Sequence, residues 1–177
     1  VWAGGVDTLG NLYDPIEVTV GDTTQPALRR LLAGRDRTDT IPLPPCTGYT
    51  APTYRFPRGS TWVPYTQPMY QDLDPRGYTW CADPRTVAIK QFRLGDTTPR
   101  RTFSAAVTPP LVSPAERDTA IVEVQAFAAK VGGGSPDFGL IPQTKPVLQR
   151  IDTDDGGQVW VQIEDERGLQ ALVFDSL

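Results

Sequence analysis

The chain has 177 residues, enough for one domain with a sizeable hydrophobic core and too few for two full ones. Its net charge of −4, with acidic residues spread throughout, leaves no basic field to gather phosphates, so nucleic-acid contact by this chain is expected to be weak or indirect. Eighteen prolines and sixteen glycines disfavour long helices, while 39% apolar residues exclude a disordered polymer, which leaves an all-β domain with long loops.

At the N-terminus there is no initiator methionine and no cleavable signal pattern, and the chain holds no run of about 18 apolar residues. A soluble chain is expected, with no membrane partner and with Val1 an artificial or proteolytic edge. The stretch "IEVTV" (16–20) alternates with period two and reads as a strand. "TTQPALRRLLAGR" (23–35) reads as a short helix over 26–33: Thr23 or Thr24 caps it, Pro26 suits its first turn and Gly34 ends it. Leu28, Leu31 and Leu32 would form its oily face, docked on its own domain, with Arg29, Arg30 and Arg35 opposite.

Cys46 and Cys81 are too few for a disulfide scaffold. Reduced, half-buried thiols are expected ahead of a bridge, which an oxidising compartment would allow. Beyond Pro45, strand candidates alternate with turn clusters: "TYRFPRG" with "STWVPYT" (53–66), then 85–94, 101–107, 118–131, 138–141, 158–164 and 169–175. About eight strands so punctuated predict an antiparallel β-sandwich or jelly roll with a short N-terminal helix and long loops. The segment 65–84, "YTQPMYQDLDPRGYTWCADP", shows no periodicity and reads as an exposed aromatic excursion, the kind of loop that meets partners.

The chemistry-bearing inventory is thin. There is no histidine, so the usual serine and cysteine triads cannot be written and the commonest zinc ligand is missing. Asp152, Asp154 and Asp155 in "DTDDGG" open like a calcium loop, but the twelfth position holds Ile163 where a bidentate Glu is required, so a solvated turn is expected ahead of a cation site. "KVGGGSPDFG" (130–139) lacks a terminal GK[ST], so it reads as a link between strands and not as a phosphate loop. The aromatics Tyr49, Tyr54, Tyr65, Tyr70, Tyr78 and Trp80 either stack a ligand or pack beneath loops, packing being the expectation. No catalytic residue, cofactor or metal is expected, and the chain reads as a non-enzyme.

Four pieces in order carry a resemblance: "GDTTQPALRRLLAGR" (21–35), "TYRFPRGSTWV" (53–63), "VTPPLVSP" (107–114) and "IVEVQAFAAKVGGGSPDFGLIPQTKP" (121–146). Together they resemble picorna-like virus capsid proteins of the dicistrovirus and iflavirus type. Pro57 in place of an aromatic, Trp62 in place of a basic residue and "GGGSPDF" in place of an acidic "GDDF" depart from that pattern, and nothing after Pro146 matches it. The resemblance implies a single jelly-roll domain over 1–177, with an arm and short helix at 1–36, a barrel core at 37–146 and a C-terminal extension at 147–177. In that extension strand is expected over 158–175, because Val159, Val161 and Ile163 alternate with Trp160, Gln162 and Glu164. It implies a structural coat protein of a small non-enveloped icosahedral RNA virus, cut from a polyprotein, assembled in the host cytoplasm with sister subunits into a virion, with a host receptor as a further partner. Arg29, Arg30, Arg55, Arg58, Tyr65, Tyr70, Tyr78 and Trp80 are the expected subunit-interface residues, while solvated surface arginines are the plain alternative. Two other readings stand beside it: a secreted β-sandwich module stapled by Cys46 and Cys81 that binds a glycan or receptor, and a phage head or tail decoration protein.

Overall fold

The structure is a computed structural model and describes residues 5–34, 36–44, 46, 49–154, 156 and 158–174. Val1, Arg35, Pro45, Asp155 and Asp175 of the stretches above lie outside the described residues. The first sheet runs in chain order through β1 (Gly5–Val6), β2 (Leu12–Val20), β3 (Thr23–Leu31) and β4 (Thr38–Pro42), all antiparallel. The helix expected over 26–33 is therefore strand β3. Pairing across strands overrides the local leucine spacing: Arg29 stands opposite Asp14 and Arg30 opposite Asp39, each forming an ion pair with the residue it faces. Ala27 and Leu28 are buried, and Leu28 packs with Tyr13 and Leu73. The prolines cost little here. Pro26 lies beyond the last residue that β4 pairs, and among the described residues Pro15 pairs only with Leu28 of β3, so each has one described ladder neighbour.

The "TYRFPRGSTW" stretch is a hairpin, β5 (Thr53–Phe56) and β6 (Gly59–Trp62), with Pro57 and Arg58 as its two-residue turn. Tyr54 and Phe56 share one face as the period of two requires, and that face packs on α1 (Pro114–Lys130) and the turn after it. Phe56 meets Phe127 with ring centroids 5.8 Å apart, and the Tyr54 hydroxyl donates to the Asp137 carbonyl at 3.0 Å.

The expected strand over 118–131 is part of α1. Ser113 caps it in a full capping box with Glu116, Pro114 starts it, and Ala120, Val124 and Ala128 bury one face at intervals of four. The glycines that follow close it: Gly132 takes a positive φ of 103° and the Gly133 amide donates to the Ala128 carbonyl. A short 3-10 helix, Phe138–Leu140, replaces the strand expected at 138–141, held by Asp137 accepting from the Gly139 amide.

The segment expected to be an exposed excursion builds the centre of the molecule. β7 (Tyr70–Asp74) and β8 (Tyr78–Ala82) join β9 (Val87–Arg93) and β10 (Arg101–Ala105) in one antiparallel sheet. β8 is buried on both faces, which removes the alternation that marks a half-exposed strand. One face sends Trp80 and Ala82 into the main core. The other places Cys81 beside Phe92 and Met69, where it forms a disulfide with Cys46, so the pair expected as reduced thiols is a bridge.

Opposite lies a three-stranded meander of β11 (Leu148–Thr153), β12 (Val159–Asp165) and β13 (Gly168–Phe174). Val159, Val161 and Ile163 alternate inward, as the pattern predicts, and meet Trp80, Val87 and Ile89 in one core. The stretch 147–174 thus supplies one of two facing sheets. Thr153 ties the layers by donating from its amide and its hydroxyl to the Asp72 carboxylate at 3.1 and 2.8 Å. The described residues hold thirteen strands in four antiparallel sheets, so the all-β expectation holds at this level, and in every sheet neighbouring strands are consecutive in the chain.

Candidate functional site

Where β6 ends, residues Val63, Pro64, Tyr65 and Thr66 turn the chain, closed by the Thr66 amide donating to the Val63 carbonyl at 3.1 Å. Proline at the second position and a positive φ of 59° at Tyr65 make this a turn of type II, whose third position favours Gly or Asn. Tyr65 is the only described non-glycine residue with positive φ. Holding a bulky aromatic there costs about 1–3 kcal/mol. The surroundings fix it: the Thr66 hydroxyl reinforces the turn at 2.6 Å from the Val63 carbonyl, and the Tyr65 hydroxyl donates to the Glu116 carbonyl at 3.1 Å. Burial, with the nearby Glu116 carboxylate second, raises the Tyr65 phenol above its ordinary pKa, so it stays a neutral donor.

The turn forms one wall of a cleft of about 430 Å³, with half-exposed Trp62 at its rim. The facing wall comes from Lys145 and Pro146 before β11, Gln149 on β11 and Glu164 on β12. A hydrogen-bonded chain crosses it. The Tyr70 hydroxyl donates to Gln67, Gln67 Nε2 donates to Gln149 Oε1 at 3.4 Å, and Gln149 Nε2 donates to Glu164 Oε2 at 3.2 Å and to the Pro146 carbonyl at 2.8 Å. Lys145 Nζ lies 2.6 Å from Glu116 Oε1 and 3.9 Å from Glu164 Oε1. The hydrogen bond from Lys145, aided by those from the Ser113 amide and hydroxyl, holds the Glu116 carboxyl down at about 2. The same partner raises the Lys145 ammonium above its usual value.

A second cavity of about 130 Å³ continues past Tyr65, Thr66, Gln67, Lys145 and Pro146 toward Tyr49 and Arg85. The Arg85 guanidinium lies 4.1 Å over the Tyr49 ring and is held by Asp83, with Nε 2.9 Å from Oδ1. The whole is an elongated groove with aromatic faces and fixed amide, carboxylate and ammonium groups. Such a lining favours reversible binding of a polar ligand with flat apolar faces. Among the described residues no three Cys, Asp or Glu side chains gather to hold a metal ion, and no helix is long and apolar enough to cross a membrane.

Of the residues expected at an interface, only Tyr65 lines this groove; Tyr70 packs against the main core and reaches the groove through its hydrogen bond to Gln67. Arg29 and Arg30 lie on β3 in their ion pairs with Asp14 and Asp39. Arg55 is exposed on β5, and Arg58 in the adjoining turn donates to the Lys130 carbonyl at 3.4 Å. Tyr78 sits at the end of β8, where its hydroxyl accepts from Arg100 at 2.6 Å. Trp80 is fully buried, stacked on Phe103 with centroids 5.9 Å apart, so it is a core residue and not part of an exposed loop. Trp62, Gln67, Lys145, Gln149 and Glu164 were not expected as site residues; Trp62 figured in the sequence only as standing where a basic residue is common. The one local signal was "VPYT", a proline turn with an aromatic at the position that favours glycine. No protein family, curated protein or solved structure matches the chain.

Proposed function

We propose that the chain is a structural subunit that works by contact with other chains, a coat or decoration role in a particle exposed to an oxidising medium. The observation that carries this reading is strand β13. It pairs only with β12 among the described strands, and "GLQALVF" contains no charged side chain. Natural β proteins guard exposed edges with charge, proline or bulges, and β13 has none of these, so it is suited to pair with another strand. Its outward face adds apolar area, with Leu169 61%, Val173 45% and the neighbouring Trp160 44% exposed. Antiparallel pairing of two copies centred on Ala171 would set Leu169 opposite Val173 of the second copy, a self-complementary contact of the kind two-fold assemblies use.

Two further observations bear on the coat reading. The resembling pieces "TYRFPRGSTWV" and "AAKVGGGSPDFGLI" pack on each other, with the Arg58 amide donating to the Val131 carbonyl at 3.0 Å and Gly134 against Phe56. Of the jelly-roll expectation this proposal retains two facing antiparallel sheets. The Cys46–Cys81 bridge favours an oxidising setting over the cytosol and also lends support to the secreted binding module. The net negative charge leaves any RNA contact to other subunits. The test is sedimentation of the full chain over a wide concentration range. Concentration-dependent oligomers are expected, and Ala171→Lys, which places a charge on the exposed edge, should return them to monomer with the melting temperature that the wild type shows when dilute. A chain that sediments as a monomer throughout overturns the proposal.

A further inference from the structure

The geometry points to the groove beside Tyr65 as a binding site for a neutral, polyhydroxylated ligand of the carbohydrate class. This inference goes beyond the assembly role and does not depend on it. The cleft volume of about 430 Å³ lies within the range of small-molecule sites, roughly 300–1,000 Å³. Trp62 is 50% exposed at the rim and Tyr65 lies in the wall, so aromatic faces are available to the C–H faces of a sugar ring. The same cleft is lined by Gln67, Gln149 and Glu164, which offer planar amide and carboxylate donors and acceptors to vicinal hydroxyls, and by the ammonium of Lys145.

These polar groups are already held by one another and by the Pro146 carbonyl, so little ordering remains to be done on binding. The charges select against other ligands. Lys145 is offset by Glu116 and Glu164, so the groove presents no net positive charge to a phosphate or sulfate. Its walls mix polar and apolar groups too evenly for a purely apolar guest. The backbone supplies an independent sign of function. Glycine would satisfy the type II turn without strain, yet the position carries Tyr65 at φ 59°, and strained conformations of this sort concentrate at ligand sites.

The experiment is an NMR titration of the full chain, followed at the Trp62 indole and the amides of Tyr65 to Gln67. The probes are glucose, galactose, mannose, N-acetylglucosamine and lactose, with inorganic phosphate in a parallel arm. The expected result is a saturable shift with at least one sugar, confined to the groove, with affinity reduced about tenfold in each of Trp62→Ala and Glu164→Gln. Both side chains are partly solvent-exposed, and far-UV circular dichroism checks that each variant folds. If Trp62→Ala fails that check, Gln67→Ala takes its place with the same expectation. Absence of a saturable shift with every sugar, a shift untouched by the variants, or saturable binding of phosphate at these same resonances overturns the inference.

Discussion

Glu116 shows how one side chain can serve two structures. Its carboxylate accepts from the Ser113 amide at 2.9 Å, completing the cap of α1, and it pairs with Lys145 in the wall of the groove. Its folded pKa is lowered from 4.5 to about 2, so the charged form is the one folding favours. The stability this group contributes is therefore present above pH ~4.5 and is lost as pH falls toward about 2. Glu116→Gln keeps an acceptor for the cap and removes the charge. Its melting temperature should fall less steeply than the wild type's between those two pH values, measured as parallel thermal scans. Equal slopes would mean that Lys145 does not hold the carboxylate in solution. The cap can be read locally from Ser113 and Glu116, but the pairing with Lys145 was not legible, because Lys145 lies 29 residues further along.

At the scale of elements, the sequence was informative wherever one face of a strand meets the core and the other meets water. The alternation of Val159, Val161 and Ile163 located β12, and the strands on either side of Pro57 were legible, though not their pairing as a hairpin. It misled where local and long-range signals conflict. "ALRRLL" spaces its leucines like a helix, but Asp14 and Asp39 on the flanking strands capture Arg29 and Arg30. "IVEV" alternates like a strand, yet it lies inside α1, whose start is announced by Ser113 and Glu116 at capping-box spacing. That signal was present in "SPAE" and outweighs a four-residue alternation. Removing it tests the claim: Ser113→Ala should destabilise the fold by about 1 kcal/mol in urea denaturation. An unchanged midpoint would mean that the helix draws its stability from Ala120, Val124 and Ala128 alone.

At the scale of the whole molecule, the groove and the central sheet share one cause of illegibility. Both are assembled from stretches distant in sequence, with Gln67 meeting Gln149 and Trp80 meeting Val161, and a single sequence carries no record of such pairings. The Cys46–Cys81 bridge is the covalent form of the same fact. It ties the segment after β4 to the middle of β8, and Lys90 on the next strand donates to the Cys46 carbonyl at 3.0 Å. Closing a loop of sequence separation 35 restricts the unfolded chain by about 4 kcal/mol on a chain-entropy estimate. Reduction leaves both sulfurs in the pocket of Phe92 and Met69, so it isolates that contribution from packing. Cys46→Ala with Cys81→Ala adds the loss of those contacts and should cost more. Urea unfolding with and without a strong reductant should therefore show a loss of about 4 kcal/mol, and the double variant should be indifferent to the reductant. A wild type equally stable in both media would mean that the core holds this segment unaided. The Cys46–Cys81 bridge would then give no energetic ground for an oxidising setting.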